Sequence, residues 1–376
     1  MRRAEENQGG NNEISFAKLS AKRRKETGIS TVYSTPLWLG SCWYDITVKT
    51  AAGAVVTAQQ GSLQQSAAAG DDGRCRLKLP RKGSWNITAS GGGYTAEKTI
   101  LVPEVAELTL PLISEILEEN SWATIAKVAA EGRAQQYWAV GDTKKLVLSG
   151  TVGLVEFDEF EVSAFIIGFD HNAEKEGTGR IHFQLGKVGE TTISFTEGHF
   201  GGYLEGVATG FTMQSDGTNT GGWAESHMRK DILGSHVADA MHPITGTLLA
   251  ALPEKLRAAM KPCTKYTDNV GDDNCEEASI TATQDWLFLL SEFEYGGIYA
   301  SANEFEQNYQ QRYAYYAAGG SGVKKRHNCM TQTSCDWLRS PTEVDPGYCC
   351  INRQGECDWE APEASYGVAP AFTVGA

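Results

Sequence analysis

Trp43-Tyr44-Asp-Ile-Thr-Val-Lys49 sets Tyr44, Ile46 and Val48 against Asp45, Thr47 and Lys49 in strict alternation. A period of two places one set in a core and the other in water, which is the pattern of a half-buried strand. The pattern returns where Cys75, Leu77 and Leu79 alternate with Arg74, Arg76 and Lys78. It returns again at Trp85, Ile87 and Ala89, and last at Leu108, Leu110 and Leu112. Gly70-Asp-Asp-Gly73 and Gly91-Gly-Gly93 punctuate the runs with turn residues. Residues 43–112 thus predict a small antiparallel β-sandwich, about the size at which such a unit folds alone.

On the amino-terminal side the pattern stops. Met1–Lys25 carries seven Lys/Arg and three Asp/Glu, with Gly9-Gly-Asn-Asn12 in its middle. The first dozen residues read as a solvated tail. Ile14, Phe16 and Leu19, then Val32, Tyr33, Leu37, Trp38 and Leu39, are more apolar anchors than a linker needs. Residues 1–42 are therefore expected to be an arm that attaches to a partner surface.

On the carboxyl side the periods mix. Ser121 stands as an N-cap before a helical stripe of Trp122, Ile125, Ala126 and Ala129. Lys144–Ser149 and Glu161–Asp170 read as strands, and Ala164-Phe-Ile-Ile-Gly-Phe169 is apolar on both faces, hence central. A second helix is expected over Gly222–Ala240 and a third near Leu249–Met260; Trp286–Leu290 is another buried run. Beyond Gly319 the chain is loop-rich with short strands. Helices first and irregular β later predict an α+β unit over 113–376.

The chain has 376 residues, 33 Lys+Arg against 47 Asp+Glu, and a net charge of −14. That balance argues against nucleic acid as a partner, which calls for a basic face. No run of about 18 apolar residues supports membrane insertion. Met1 is followed by charge without an apolar h-region, so no secretory signal is expected and the nine cysteines default to thiols. Closures such as Cys329–Cys335 or Cys263–Cys275 would require release into an oxidising medium.

No His-Glu-x-x-His, Gly-x-Ser-x-Gly, phosphate loop or dinucleotide fingerprint occurs, so no catalytic residue or cofactor is assigned. Glu156, Asp158, Glu159 and Glu161 crowd one strand rather than opposing one another across a substrate, so they read as a solvated edge. His327 and Cys329, Cys335, Cys349, Cys350 and Cys357 lack zinc-ribbon spacing, and His227, His236 and His242 are not at i, i+4. Asp268, Asn269, Asp272, Asp273 and Asn274 are oxygen donors of the Ca²⁺ type without EF-hand spacing, so no metal is assigned. Tyr309 and Tyr313 are expected to pack.

Two resemblances follow from particular residues. Asp45-Ile-Thr-Val-Lys, Asp72-Gly-Arg-Cys-Arg-Leu and Gly83-Ser-Trp-Asn-Ile-Thr resemble the Ig-like, carboxypeptidase-regulatory-like sandwiches of bacterial surface proteins and phage appendages. Such units are spacers. Over 113–376, ordered blocks resemble an uncharacterised domain of prophage and gut-bacterial proteins that is similar to C-type-lectin folds. The blocks are Trp122-Ala-Thr-Ile-Ala, Ala139-Val-Gly-Asp142, Gly168-Phe-Asp-His171, Gly222-Trp-Ala-Glu-Ser-His-Met-Arg229, Leu252-Pro253, Leu289-Leu-Ser-Glu292, Trp337-Leu-Arg-Ser-Pro341 and Gly367-Val-Ala-Pro-Ala-Phe372. Ala369 departs from the pattern, which more often has Arg before Pro-Ala-Phe, so no contact of that Arg carries over. Variable receptor-binding proteins of diversity-generating retroelements and formylglycine-generating enzymes share the fold group.

The resemblance implies a multidomain chain: an arm at 1–42, an all-β Ig-like sandwich at 43–112 and an α+β C-type-lectin-like domain at 113–376. It implies a receptor-binding surface carried by Asp345, Tyr348, Asn352, Arg353, Glu356, Asp358, Trp359 and Tyr366. Rigid aromatics with adaptable Asn, Asp and Arg are the chemistry of a paratope, and aromatics also stack on sugar rings. The function implied is that of a non-enzymatic phage virion protein, a tail- or head-fibre adhesin. It would be assembled in the host cytoplasm, exposed after lysis, and bind a bacterial surface glycan or protein. The arm would hold other virion proteins, and the chain would form a homo-oligomer, a trimer by preference. The rivals are a structural decoration protein and a formylglycine-generating-type enzyme using Cys349-Cys350.

Overall fold

The computed structural model describes residues 43–207, 210–272, 275–343 and 346–375. The expected arm at 1–42 lies outside them. Strand makes up 40% and helix 17%, spread over several sheets, so the protein is β-rich and multidomain in character rather than evenly mixed.

The first seven strands are β1 (Tyr44–Lys49), β2 (Val55–Gln60), β3 (Leu63–Ala68), β4 (Arg74–Leu79), β5 (Gly83–Gly91), β6 (Tyr94–Val102) and β7 (Glu107–Thr109). They form two sheets, ordered β4-β1-β7 and β3-β2-β5-β6, antiparallel except for the β1–β7 pair. The alternating residues enclose one core: Ile46, Val48, Cys75, Leu77, Leu79, Trp85, Ile87, Ala89 and Leu108 are buried.

A second core runs from Leu117 to Val374. Helix α1 (Trp122–Ala130) begins where Ser121 Oγ accepts the Thr124 N–H at 3.0 Å, and it buries Trp122, Ile125, Val128 and Ala129. The main sheet is built on β8 (Thr143–Val152), β9 (Val155–Phe169), β10 (Arg180–Val188) and β11 (Thr191–Ser194), with α2 (Ala173–Glu176) between β9 and β10. Ala164–Ile167 is buried on both faces, in the stretch where β9 pairs with β8 along one edge and β10 along the other. At the outer end of β9, Glu159 takes φ 46° where the register slips, and all four carboxylates of that stretch point to water.

The cores are fastened together. Thr124 Oγ1 donates to the Thr95 carbonyl at 3.1 Å, and Arg133 Nη2 donates to the Tyr94 hydroxyl at 2.6 Å. Lys127 Nζ sits 4.9 Å from the centre of the Tyr94 ring.

The expected helix over Gly222–Ala240 is corrected. Only α3 (Gly222–Glu225) and a single wide turn at Met228–Ile232 form. Ser226 swings out to ψ 140°, and Gly234 at φ 66° breaks the chain again. The helix near Leu249–Met260 is likewise two single turns, α4 (Leu248–Ala251) and α5 (Glu254–Arg257), split at Leu252-Pro253.

The remaining elements are β12 (Met260–Lys261), β13 (Cys263–Asp268), β14 (Ile280–Asp285), α6 (Glu292–Gly296), α7 (Ala314–Ala317), β15 (Lys325–Arg326), β16 (Cys329–Thr333), β17 (Asp336–Pro341), β18 (Tyr348–Ile351), β19 (Cys357–Glu360) and β20 (Ala371–Gly375). Strand β20 inserts beside β10, and β17-β18-β19 form a separate antiparallel sheet.

Candidate functional site

The β17-β18-β19 sheet carries most of the residues that the sequence marks for binding. Pairing sets Cys349 opposite Trp359 and Cys350 opposite Asp358. Residues opposed across an antiparallel pair share a face, so Trp359 and Cys357 lie on one side of the ribbon and Asp358 and Glu360 on the other. The eight residues therefore do not make one patch.

Tyr348 is corrected outright: it is fully buried, and its hydroxyl donates to the Gly222 carbonyl at 2.9 Å. Asn352 shapes the β18–β19 turn, with Oδ1 accepting the N–H groups of Gln354 and Glu356, each at 3.0 Å. Arg353 and Glu356 are exposed at that tip, and Asp358 is exposed beside it. Trp359 is 43% exposed. Tyr366 is half-buried. Asp345 lies outside the described residues.

Two further surfaces complete the ribbon, neither singled out by sequence. On the Asp358 side, Phe200 stacks on Tyr366 with centroids 5.9 Å apart, and Arg326 lies 3.6 Å above Phe200. Glu360 is fixed between two phenols, accepting from Tyr366 at 2.8 Å and from Tyr203 at 3.2 Å. Tyr203 is 62% exposed, and Arg326 Nε has no partner among the described residues. On the Trp359 side, Ile298 and Tyr299 are exposed, and Ile298 approaches Cys357 across Gly296. Their loop is held from beneath, because Glu292 Oε2 accepts the N–H groups of Ala300, Ser301 and Ala302 at 2.9–3.1 Å. Aromatic groups on a pre-organised frame bind at low entropic cost.

Beneath this sheet lies a buried hub of charge. Lys265 Nζ donates to Glu176 Oε2, Glu294 Oε1 and the Tyr313 hydroxyl, each at 2.9 Å. Arg339 grips both oxygens of Glu294 and donates to Thr267 Oγ1 at 2.7 Å. Ser340 Oγ donates to Glu306 at 2.6 Å. Burial works against an ionised Glu294, but Arg339 and Lys265 overcome it and hold that carboxyl far below its usual range. Burial alone pushes Glu306 up to about 7 despite Arg339 and Ser340.

Ligand atoms of Glu176, His182 and Cys263 lie within 4.8 Å of one another, as do those of His171, Glu176 and Glu294. A metal ion would draw on these donors, but the Lys265 ammonium already occupies Glu176. Both histidines are kept neutral, His171 by burial and then by Lys265, which bring it down to about 3. Cys329, Cys335, Cys349, Cys350 and Cys357 are free thiols, and so is Cys263, which donates to Glu176 Oε2 at 3.2 Å. The Cys329–Cys335 and Cys263–Cys275 closures are not formed.

Residues 207–376 match the family model described as a domain of unknown function (DUF6273). No curated protein matches the chain. The matched region holds both the ribbon and most of the hub, and the sequence blocks quoted from it above turn inward. Trp223 Nε1 donates to Asp285 Oδ2 at 2.9 Å, Arg229 Nε to Asp285 Oδ1 at 2.6 Å, and Trp337 Nε1 to the Phe211 carbonyl at 3.1 Å. Gly367 admits no side chain, since a Cβ there would meet Asp336, Ser334 and Ser194 at 2.3–2.5 Å. The blocks thus build the frame, and the exposed aromatic groups sit between them.

Proposed function

We propose that this is a non-enzymatic phage virion protein, a tail- or head-fibre adhesin, that binds a bacterial surface glycan or protein through the ribbon and its two flanks. The observation that carries the reading is the exposure of Tyr203, Trp359, Ile298 and Tyr299 around a rigid, hydrogen-bonded sheet. Such anchors beside Arg353, Asp358 and Glu360 suit a receptor rather than a core. The lectin-like and Ig-like resemblances supply the wider frame: residues 113–376 displaying the surface, 43–112 spacing it, and 1–42 docking to the particle, with a trimer multiplying weak contacts into avidity.

Enzymatic use of Cys349-Cys350 has little physical support. Both thiols are buried, and burial pushes both well above the ordinary thiol range, away from the nucleophilic thiolate.

The test is binding of the full chain to a panel of gut bacterial cells, with antibody labelling of intact particles alongside. Strain-selective adhesion together with labelling at an exposed appendage is the expected result. Labelling on particles without adhesion to any strain would replace this reading with that of a decoration protein.

A further inference from the structure

The hub contains an amine and a carboxyl arranged as reactants. We propose that Lys265 and Glu176 condense into an intramolecular amide with loss of one water, a covalent cross-link between β13 and α2. This goes beyond the adhesin reading and does not depend on it.

The geometry is that of a shielded encounter. Lys265 is 0% exposed and Glu176 4%, and Nζ lies 2.9 Å from Oε2. Phe288 covers the amine, its ring centre 4.2 Å from Nζ, and Tyr313 covers it from another side at 5.2 Å. Groups held at contact distance gain effective molarities of about 10⁵–10⁸ M, and a dry pocket suppresses the return hydrolysis.

Each proton has a place to go. The ammonium passes one proton along its hydrogen bond to Oε2, leaving a neutral amine and a carboxylic acid. The nitrogen lone pair attacks Cδ, the Nζ–Cδ bond forms and the Cδ–Oε2 bond breaks. Oε2 leaves as water, taking the second amine proton by way of Glu294 Oε1, 2.9 Å from the nitrogen. The Cys263 thiol at 3.2 Å steadies the leaving oxygen. No oxidant or co-reactant is needed.

Charge accounts for the choice of carboxyl. Glu294 is clamped through both oxygens by Arg339 and stays an anion, which makes it a poor electrophile. Burial lifts the Glu176 carboxyl above its usual range, more than Lys265 pulls it back. Before reaction, two cations face two anions. Afterwards Arg339 and Glu294 remain as a balanced pair, and the desolvation penalty of the other two charges is gone.

Peptide mapping of the full chain after denaturation decides the matter. Trypsin cutting after Lys175 and Arg180 isolates residues 176–180. The expected product is a branched peptide joining 176–180 to the segment that spans an uncut Lys265, lighter by one water than its two parts. Lys265→Met must abolish it. Cleavage after Lys265 with free 176–180 in the wild-type chain, even after prolonged incubation, would overturn the proposal. The wild-type result stands whether or not the variant folds.

Discussion

Trp337 on β17 and Trp359 on β19 belong to one three-stranded sheet, yet the first is 2% exposed and the second 43%. Along the strand from Trp337, Arg339 and Ser340 serve the interior, closing on Glu294 and Glu306. On the strand and turn that carry Trp359, Arg353, Glu356 and Asp358 are exposed, and so are Ile298 and Tyr299 on the flanking loop. Lys265, Arg339 and Glu294 in the interior are held by one another, whereas Arg353, Glu356 and Asp358 on the ribbon are exposed. A single sheet can thus divide its labour strand by strand, and the most recognisable sequence blocks fall on the inner side of that division.

The division is most severely tested at Arg339. Arg339→Ala leaves the buried Glu294 carboxylate without the cation that grips both its oxygens, and breaking a buried pair in this way costs about 3–5 kcal/mol. Urea unfolding should show that loss; a change under 1 kcal/mol (below the smallest effect seen for such pairs) would mean the hub is not what holds the sheet.

Acid probes the same region with a sign that can be worked out. Burial depresses His171 to about 3 and His182 well below 6.5, so the unfolded chain takes up protons that the folded one refuses. Stability is complete above pH 6.5 and falls as the pH drops toward 3, by about 1.4 kcal/mol per unit for each histidine. Glu306 acts in the opposite sense. Its folded value of about 7 against 4.5 unfolded gives stability that is lost as the pH rises from 4.5 to 7. Between 4.5 and 6.5 the single carboxyl cancels half of the two histidines' slope; below 4.5 it no longer opposes them, and Glu294, held far below its usual range, adds loss in the same direction. Denaturant midpoints should fall from pH 6.5 and most steeply under 4.5; midpoints that hold level or rise between 6.5 and 4.5 would show that the histidines are not held neutral.

Gly367→Ala should cost about 1–3 kcal/mol through overpacking against Asp336, Ser334 and Ser194. A neutral result in thermal melts would mean that the frame yields locally. On the outer side the effect should nearly vanish. Trp359→Ala is expected to move stability by no more than about 0.5 kcal/mol, and a larger loss would place Trp359 in the core after all.

Much of the frame was legible because half-buried strands leave a period-two trace, as at Ile46 and Val48, and because β9 is apolar on both faces. The helix expected over 222–240 was not, because the apolar spacing there carries no sign of what its polar residues must reach. Gly222 is forced against the Asp268 carbonyl, where a Cβ would sit 2.1 Å away, and Trp223 and Arg229 both turn to Asp285. Tyr348 looked like a surface aromatic because strand parity depends on the partner's register, which no single strand reveals. The hub was hidden for a similar reason. Glu176, Lys265, Glu294 and Arg339 are far apart in the chain, and each taken alone reads as a solvated charge. Tyr203 and Tyr299 went unmarked because their loops meet the ribbon only in three dimensions.

The most direct test is the affinity of the full chain carrying Tyr203→Ala, Arg353→Ala, Asp358→Ala and Trp359→Ala for a bacterial strain that the wild-type chain binds, with the unfolding midpoint measured on the same sample. The account predicts an unchanged midpoint and binding weakened by at least about tenfold, the effect of losing one hot-spot contact. Wild-type affinity in the folded variant would contradict it and move the binding surface away from the ribbon.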